Sequence, residues 1–331
     1  MNIIRLQRYI AFFSVFLFIG KMIAWYITNS VMVLTDAMEG IVNMVTGFLG
    51  LYSIILAAKP RDTNHPYGHG KVQFLSSAVE GTLIIISGLV IIYESIEQLI
   101  IPHELKKLDI GLLIVVGAGL VNYFIGKYAE IQGKKQNALV LISAGKHLIT
   151  DSYSSIAIIV GLLLLMVVPH NWYWLDSAVA MIFAIIILIT GYKILKRSIS
   201  GIMDEVDVNM AKDIIALLQK NRFAQWIDLH NLRVIQYGDV IHLDAHMTLP
   251  LFYSVVEAET EVNNLEKLIQ NHLSHPIEVF IHIDACEAYQ CKICSLSECS
   301  YRKDPFAQQV TWNIYNIWEN TKHGQTAIIV V

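Results

Sequence analysis

Polar and apolar positions follow two regimes along this chain. Up to about residue 203, long apolar runs alternate with short charged connectors; after Asp204 the two kinds of residue mix on the scale of single turns and strands. A membrane span needs about 20 mostly apolar residues. Six stretches reach that length: Tyr9–Ile27, Val31–Ala57, Ser76–Ile101, Ile110–Tyr128, Leu139–Val168 and Trp172–Ile194. Arg5 and Arg8 before the first could mark a leader. Lys21 interrupts that run, however, no small-residue cleavage site follows, and five more spans do. The pattern therefore predicts a true first helix.

In the second regime, "MAKDIIALLQKN" has helical spacing and "NLRVIQYGDVIHLDAHMTL" reads as two strands joined at "YGD". A helix over "SVVEAETEVNNLEKLIQNHL" and the strand "EVFIHID" follow. This order, αββαβ, predicts a small α+β domain of ferredoxin-like type. Alternation puts Ile241, Leu243, Ala245 and Met247 on one face and His242, Asp244 and His246 on the other. His282 and Asp284 share a face opposite Ile281 and Ile283, and a short helix is expected near Phe306–Asn320.

Composition sharpens the membrane reading. Of 331 residues, 55% are apolar and only 16% charged, with mean hydropathy +0.51, whereas soluble domains carry about 25% charged residues. A net charge of −4 without a basic patch gives no sign of nucleic-acid binding. Lys and Arg mark the cytoplasmic side. They cluster at Arg5 and Arg8, at Lys59, Arg61 and Lys71, at Lys127, Lys134 and Lys135, and at Lys193, Lys196 and Arg197. Both termini are expected in the cytoplasm, of the opposite loops only "IPHELKKLD" is positive, and the expected location is a bacterial inner membrane.

Charged groups inside spans face a cavity or the bundle interior and mark a pathway. Asp36, Glu39 and Asn43 fall within about 60° of one another on a helix, forming one polar stripe. In the fifth span His147 and Asp151 stand four residues apart, on one helix face. Two such helices can build a four-ligand cage, and imidazole with carboxylate suits zinc and its transition-metal neighbours. Lys21, Glu80, Glu94 and Asn122 lack a matching partner in this reading. The second loop adds Asp62, His65 and His69 in a Pro/Gly-containing turn, with spacing that fits a small metal site or a merely polar loop.

All four cysteines lie in "CEAYQCKICSLSEC", as Cys286, Cys291, Cys294 and Cys299. A reducing cytoplasm disfavours disulfides. The compact set points to a structural or regulatory zinc site, with an iron–sulfur cluster or free thiols as the alternatives.

Together these features resemble the cation diffusion facilitator family of metal/proton antiporters. The resemblance rests on six spans, "NHPYGHGK" after the second, His-x-x-x-Asp in the fifth and a tail of some 130 residues, and it runs from about residue 8 to 285. It implies a homodimer in the lipid bilayer that exports Zn²⁺ in exchange for protons. It also implies a transport site of Glu39, Asn43, His147 and Asp151, with Asp36 a neighbour and not a ligand. The loop site maps onto Asp62, His65 and His69, and a cytoplasmic site onto His230, His242, His282 and Asp284, with His246 extra. Lys71 and Asp204 match a charge pair linking the two halves at the dimer interface. The expected domains are 1–203 for transport, 204–285 for metal binding and dimerisation, and 286–331 as a Cys-rich extension outside the resemblance.

Most relatives carry Asp or His in place of Glu39 and Asp in place of Asn43. Glu39, Asp151 and a neutral His147 sum to a formal charge of −2, which balances a divalent ion. An amide at Asn43 ligates without titrating, so affinity should fall and proton coupling should rest mainly on histidine, the side chain that titrates near neutral pH. Asn also tolerates harder ions such as Mn²⁺ or Fe²⁺; transport of Mn²⁺, Fe²⁺, Co²⁺ or Cd²⁺, or metal sensing with weak or no transport, stays open as an alternative. An intramembrane metalloprotease would need His-Glu-x-x-His on a helix; "HELKK" at His103 lacks the second His, so an enzyme is not expected.

Overall fold

Six helices, α1 (Ile3–Thr28), α2 (Val31–Ala57), α3 (Val72–Ile100), α4 (Leu108–Lys135), α5 (Leu139–Val167) and α6 (Trp174–Ile202), form the first compact unit of a computed structural model. The structure describes residues 3–101, 105–135, 139–167, 172, 174–237, 240–273 and 276–324. The "YGD" turn beyond Tyr237 and the His103 segment lie outside them. All six helices are long and apolar enough to cross a membrane. Several outrun the apolar stretches that predicted them. In α4 the helix continues past Tyr128 because Glu130 bonds Lys134 at 2.6 Å and Lys127 at 3.3 Å, pairs at i,i+4 and i,i+3 spacing.

In this unit α3 packs along α6, α4 along α5 and α1 along α2. Small residues let the backbones meet, as is usual between membrane helices. A β-carbon at Gly145 would stand 2.6 Å from the Glu130 nitrogen and 2.6 Å from the Gly126 oxygen. That contact fixes the register of α5 two residues before His147. At the start of α2, the Asp176 carboxylate from the first turn of α6 accepts from Ser30 Oγ at 2.7 Å and from the Val31 amide at 2.6 Å. A carboxylate there satisfies free N–H groups and meets the positive end of the helix dipole.

The second unit holds residues 60–71 and everything from Met203 onward. Its elements are α7 (Val208–Lys220), β1 (Asp228–Tyr237), β2 (Val240–Leu249), α8 (Val255–His272) and β3 (Ile277–Ala285), followed by a short 3₁₀ helix, Ala288–Lys292. The sheet order is β1-β2-β3, with β1 antiparallel and β3 parallel to β2; α8 supplies the crossover that a parallel pair requires. A capping box of Ser254 and Glu257 starts α8. Ile241, Leu243, Ala245 and Met247 all face the core, packed with Ile214 and Leu218 of α7 and Leu265 and Ile269 of α8.

The same core takes in Trp312 and Ile317 from the end of the chain. Arg222 lies 3.9 Å from the Trp312 ring and donates to the Val310 carbonyl at 2.6 Å. The Asn231 and Leu232 amides, at an irregularity in β1, donate to Glu319 and Ile317 carbonyls at 2.7 and 3.0 Å. No α-helix forms near Phe306–Asn320: Ile314–Trp318 are turns. Asn313 Oδ1 accepts from the Tyr315 amide and Asn316 Oδ1 from that of Asn313. Such short side-chain bonds compete with helical ones.

Candidate functional site

Asn43 on α2 joins His147 and Asp151 of α5. Its Nδ2 donates to Asp151 Oδ2 at 2.6 Å, and its Oδ1 lies 3.0 Å from His147 Nε2. His147 Nε2 and Asp151 Oδ2 are 3.9 Å apart. A carboxylate can only accept, which places the amide nitrogen on the Asp151 side. Glu39, one turn earlier, takes a 3.2 Å bond from Ser154 Oγ instead of joining the amide. Asp151 is buried, while His147 opens onto a cavity of about 340 Å³. Asn43 and Glu80 line it too. Its other walls come from the first half of α1, the end of α2 and the first turns of α3 and α5. All of these helix ends share a side with the start of α1.

Asp36 has a different partner. Lys21 Nζ of α1 bonds Asp36 Oδ1 at 2.7 Å, with both side chains buried, and Ser155 Oγ adds a bond at 3.3 Å. This ion pair occupies Asp36 away from the Asn43 group.

Among the described residues, two groups in the second unit hold donor atoms within 4.8 Å of one another: Asp62, His65 and His69, and His230, His246 and Asp284. In the loop, Asp62 lies 3.0 Å from His65 Nδ1 and 3.3 Å from His69 Nε2, and the two imidazoles are 4.4 Å apart. The hydrogen bond from His65 holds the Asp62 carboxyl below its usual range. On the sheet, Asp284 Oδ2 stands 3.1 Å from His246 Nδ1 and 3.5 Å from His230 Nε2. Lys71 Nζ bonds Asp204 at 2.9 Å within the same unit.

Residues 8–203, more than half of the chain, match the family model of the cation efflux transmembrane domain, and residues 208–286 that of the cation efflux protein cytoplasmic domain. The chain belongs to the cation efflux family, the cation diffusion facilitators. An uncharacterized transporter of Synechocystis is 28% identical over 81% of this chain and 85% of its own. The cadmium, cobalt and zinc/H(+)-K(+) antiporter of Bacillus subtilis is 26% identical over 76% and 79%. A manganese efflux system protein of the same organism is 26% identical over 82% and 92%.

In the cytoplasmic domain of this cation efflux protein, the marked residues divide. His230 and Asp284 meet at the cluster, where the third member is His246. His282 sits beside it, 3.9 Å from Asp284 and with its ring 4.6 Å from that of His246. His242 is elsewhere, 3.4 Å from Glu278 and against Tyr237 and Tyr67. Four residues along a strand is about 13 Å, so His242 and His246 share a face without sharing a site. Burial lowers the His242 imidazole.

Asp228 and His323 lie behind His230. Asp228 Oδ2 is 3.3 Å from His230 Nδ1, while Oδ1 is 2.6 Å from His323 Nδ1 and the His323 amide donates at 2.9 Å. Carboxylates behind ligating imidazoles fix their tautomer and orientation. Burial pushes the Asp228 carboxyl up, but the two imidazoles outweigh it and hold it well below its usual range. Burial likewise lowers His323, and Asp228 overrides it to raise the imidazole above its ordinary value. The raised imidazole stabilises the fold fully below about pH 6.5 and loses that effect as pH rises through its folded value. The depressed carboxyl contributes above about pH 4 and loses its effect as pH falls through its own folded value. Removing one partner of a buried pair costs about 3–5 kcal/mol. In the metal-free protein, His323→Gln should therefore lower the thermal midpoint most near pH 5–6. The difference from wild type should shrink toward pH 8.5; a gap that is constant with pH would refute the pairing.

Cys286, Cys291, Cys294 and Cys299 are free thiols lining one pocket of about 120 Å³. Burial raises the Cys286 thiol, and its three neighbours add to the shift. Sequence spacing left Lys21 and Glu80 without a partner and did not mark Asp228 or His323, although opposite charges in consecutive spans were a signal for Lys21 and Asp36.

Proposed function

We propose that this chain exports divalent transition-metal ions, Zn²⁺ foremost, from the cytoplasm in exchange for protons, working as a homodimer. The supporting observation is the Asn43 amide held between His147 and Asp151 at the wall of a cavity. In this reading the cavity is the cytoplasmic vestibule, because its helix ends lie on the side of the Lys- and Arg-rich loops. Both termini and the C-terminal domain then lie in the cytoplasm.

Ion entry requires Asn43 to give up its bond to Asp151 and to turn its oxygen toward the metal. Asp151, Glu39 and His147 complete the cage, with a formal charge of −2 that matches the ion. The amide carries no proton in either step, so exchange falls to His147 and the carboxylates. Glu80, in the vestibule, adds negative charge on the approach. The His230, His246 and Asp284 cluster, with His282 beside it, serves as the cytoplasmic metal site that stiffens the dimer, and the loop triad is a further site. A harder amide oxygen in the cage also keeps Mn²⁺ within range, and a manganese efflux system protein is among the relatives.

Metal-driven proton movement in proteoliposomes tests the reading, with Zn²⁺, Mn²⁺, Fe²⁺, Co²⁺ and Cd²⁺ supplied in turn. Zn²⁺ should drive an opposing proton flux; no flux with any of the five ions would end the antiporter proposal. Asn43→Asp should tighten metal binding by about tenfold or more, roughly 1.4 kcal/mol, and change the proton stoichiometry. Unchanged affinity would remove Asn43 from the site.

A further inference from the structure

The cysteine pocket is not part of the transport reading, and it has the marks of a built site. Its four thiols come from successive pieces of backbone. Cys286 follows the last residue of β3, Cys291 lies in the 3₁₀ helix, Cys294 comes just after that helix, and Cys299 opens a turn whose Arg302 amide donates back to its carbonyl at 3.3 Å. A single guanidinium ties these pieces together. Arg302 donates to the carbonyls of Cys291, Cys294 and Leu296 at 3.0, 3.1 and 2.5 Å, with Asp304 at 3.4 Å. The Cys286 amide bonds the Leu249 carbonyl at 3.0 Å and that of Cys294 the Gln290 carbonyl at 3.1 Å. The Lys303 amide already points at Cys291 Sγ, 3.4 Å away.

The floor of the pocket is apolar. Ile227, Ile293 and Cys294 are buried together there, with Cys286 and Leu296 against them. Bare thiolates in such surroundings are costly. Four thiolates on a dication leave a net charge of −2, and Arg302 and Lys303 at the rim can offset it, while the Glu287 carboxylate there is paired with Lys322 at 3.4 Å. An N–H donor on a ligating sulfur orients the ligand, as outer partners do at metal sites. The cysteines are not among the groups already at ligand spacing, so the side chains must rotate inward onto an ion.

We propose that Cys286, Cys291, Cys294 and Cys299 form a tetrathiolate site for a soft d¹⁰ cation, Zn²⁺ in the cell, which pins the ends of β2 and β3. Binding releases the thiol protons to solvent; no sulfur–sulfur bond forms and nothing is oxidised. The consequence reaches the sheet cluster, because Leu249 pairs with Ala285 in the β2–β3 register and Asp284 precedes that pair. Thiolate sulfur selects Zn²⁺ and Cd²⁺ over the harder ions, so this site discriminates where an amide-containing cage does less.

The test uses the full chain, purified in detergent with a reductant and stripped of metal, with Cd²⁺ as the probe. Thiolate-to-cadmium charge-transfer absorption should appear in the ultraviolet and saturate at one ion per chain. It should persist in His246→Ala and Asp151→Ala and vanish in Cys291→Ser/Cys294→Ser. No such absorption in the wild type, or undiminished absorption in the double variant, overturns the site. In case the double variant misfolds, alkylation of the wild-type cysteines is followed by mass spectrometry with and without Zn²⁺. Bound metal should slow all four by about tenfold or more, since a coordinated thiolate must leave the ion to react; equal rates overturn the proposal. Iron–sulfur absorption in anaerobically purified protein would also overturn it, in favour of a cluster.

Discussion

Asp151→Ala should abolish the proposed metal-driven proton flux and weaken metal binding at the proposed membrane site by about 100-fold or more, since loss of an outer partner alone costs 10- to 100-fold. The carboxylate is the acceptor for the Asn43 amide at 2.6 Å and the nearest acid to His147. Without it the formal charge of the proposed cage would fall from −2 to −1, and Asn43 would lose the group that orients it. Binding is read by calorimetry on protein whose loop triad, sheet cluster and cysteines have been silenced by substitution, and flux in proteoliposomes. Flux at the wild-type rate would place the transport site elsewhere. Asp151→Asn separates shape from charge: it keeps a side chain of the same size, and it should be as inactive as the alanine variant if charge is what the ion needs.

Lys21→Met is expected to destabilise the membrane unit by about 3–5 kcal/mol, the cost of stranding one member of a buried ion pair. Asp36 is wholly buried against Lys21, and among the described residues Ser155 Oγ is its one other hydrogen-bond partner. The double variant Lys21→Met/Asp36→Leu should recover most of the loss, because replacing both members with apolar groups is often close to neutral. Thermal midpoints in detergent measure both. A double variant no more stable than the single one would show that Asp36 has a further duty, as a ligand or in proton transfer. Metal binding measured on the double variant then tells which.

The spans, the αββαβ order and the inward face of β2 were all legible, because each rests on a local period. The meeting of Asn43 with His147 and Asp151 was legible for a related reason: two helices each carry polar residues one turn apart, and such pairs must find company in lipid. Lys21 was harder, since nothing local says that α1 turns it toward Asp36. Asp176 reads as an ordinary acid at a helix start, yet it caps a different helix. His246 looked surplus beside His242 because alternation gives the face of a strand and not the position along it. His323 was out of reach altogether: it meets Asp228 across 95 residues of sequence, in a segment without a regular period.

The end of the chain has a practical meaning that the family boundary hides. Residues 208–286 match the cytoplasmic domain model, and a fragment cut there would seem complete. It would lose Ile317 and Trp312 from its core, the ring under Arg222, and the carbonyls that occupy the β1 amides at Asn231 and Leu232. A strand left with free amides at its edge recruits other strands. Such a fragment would be expected to aggregate edge to edge, and its behaviour in solution would say little about how two intact chains meet.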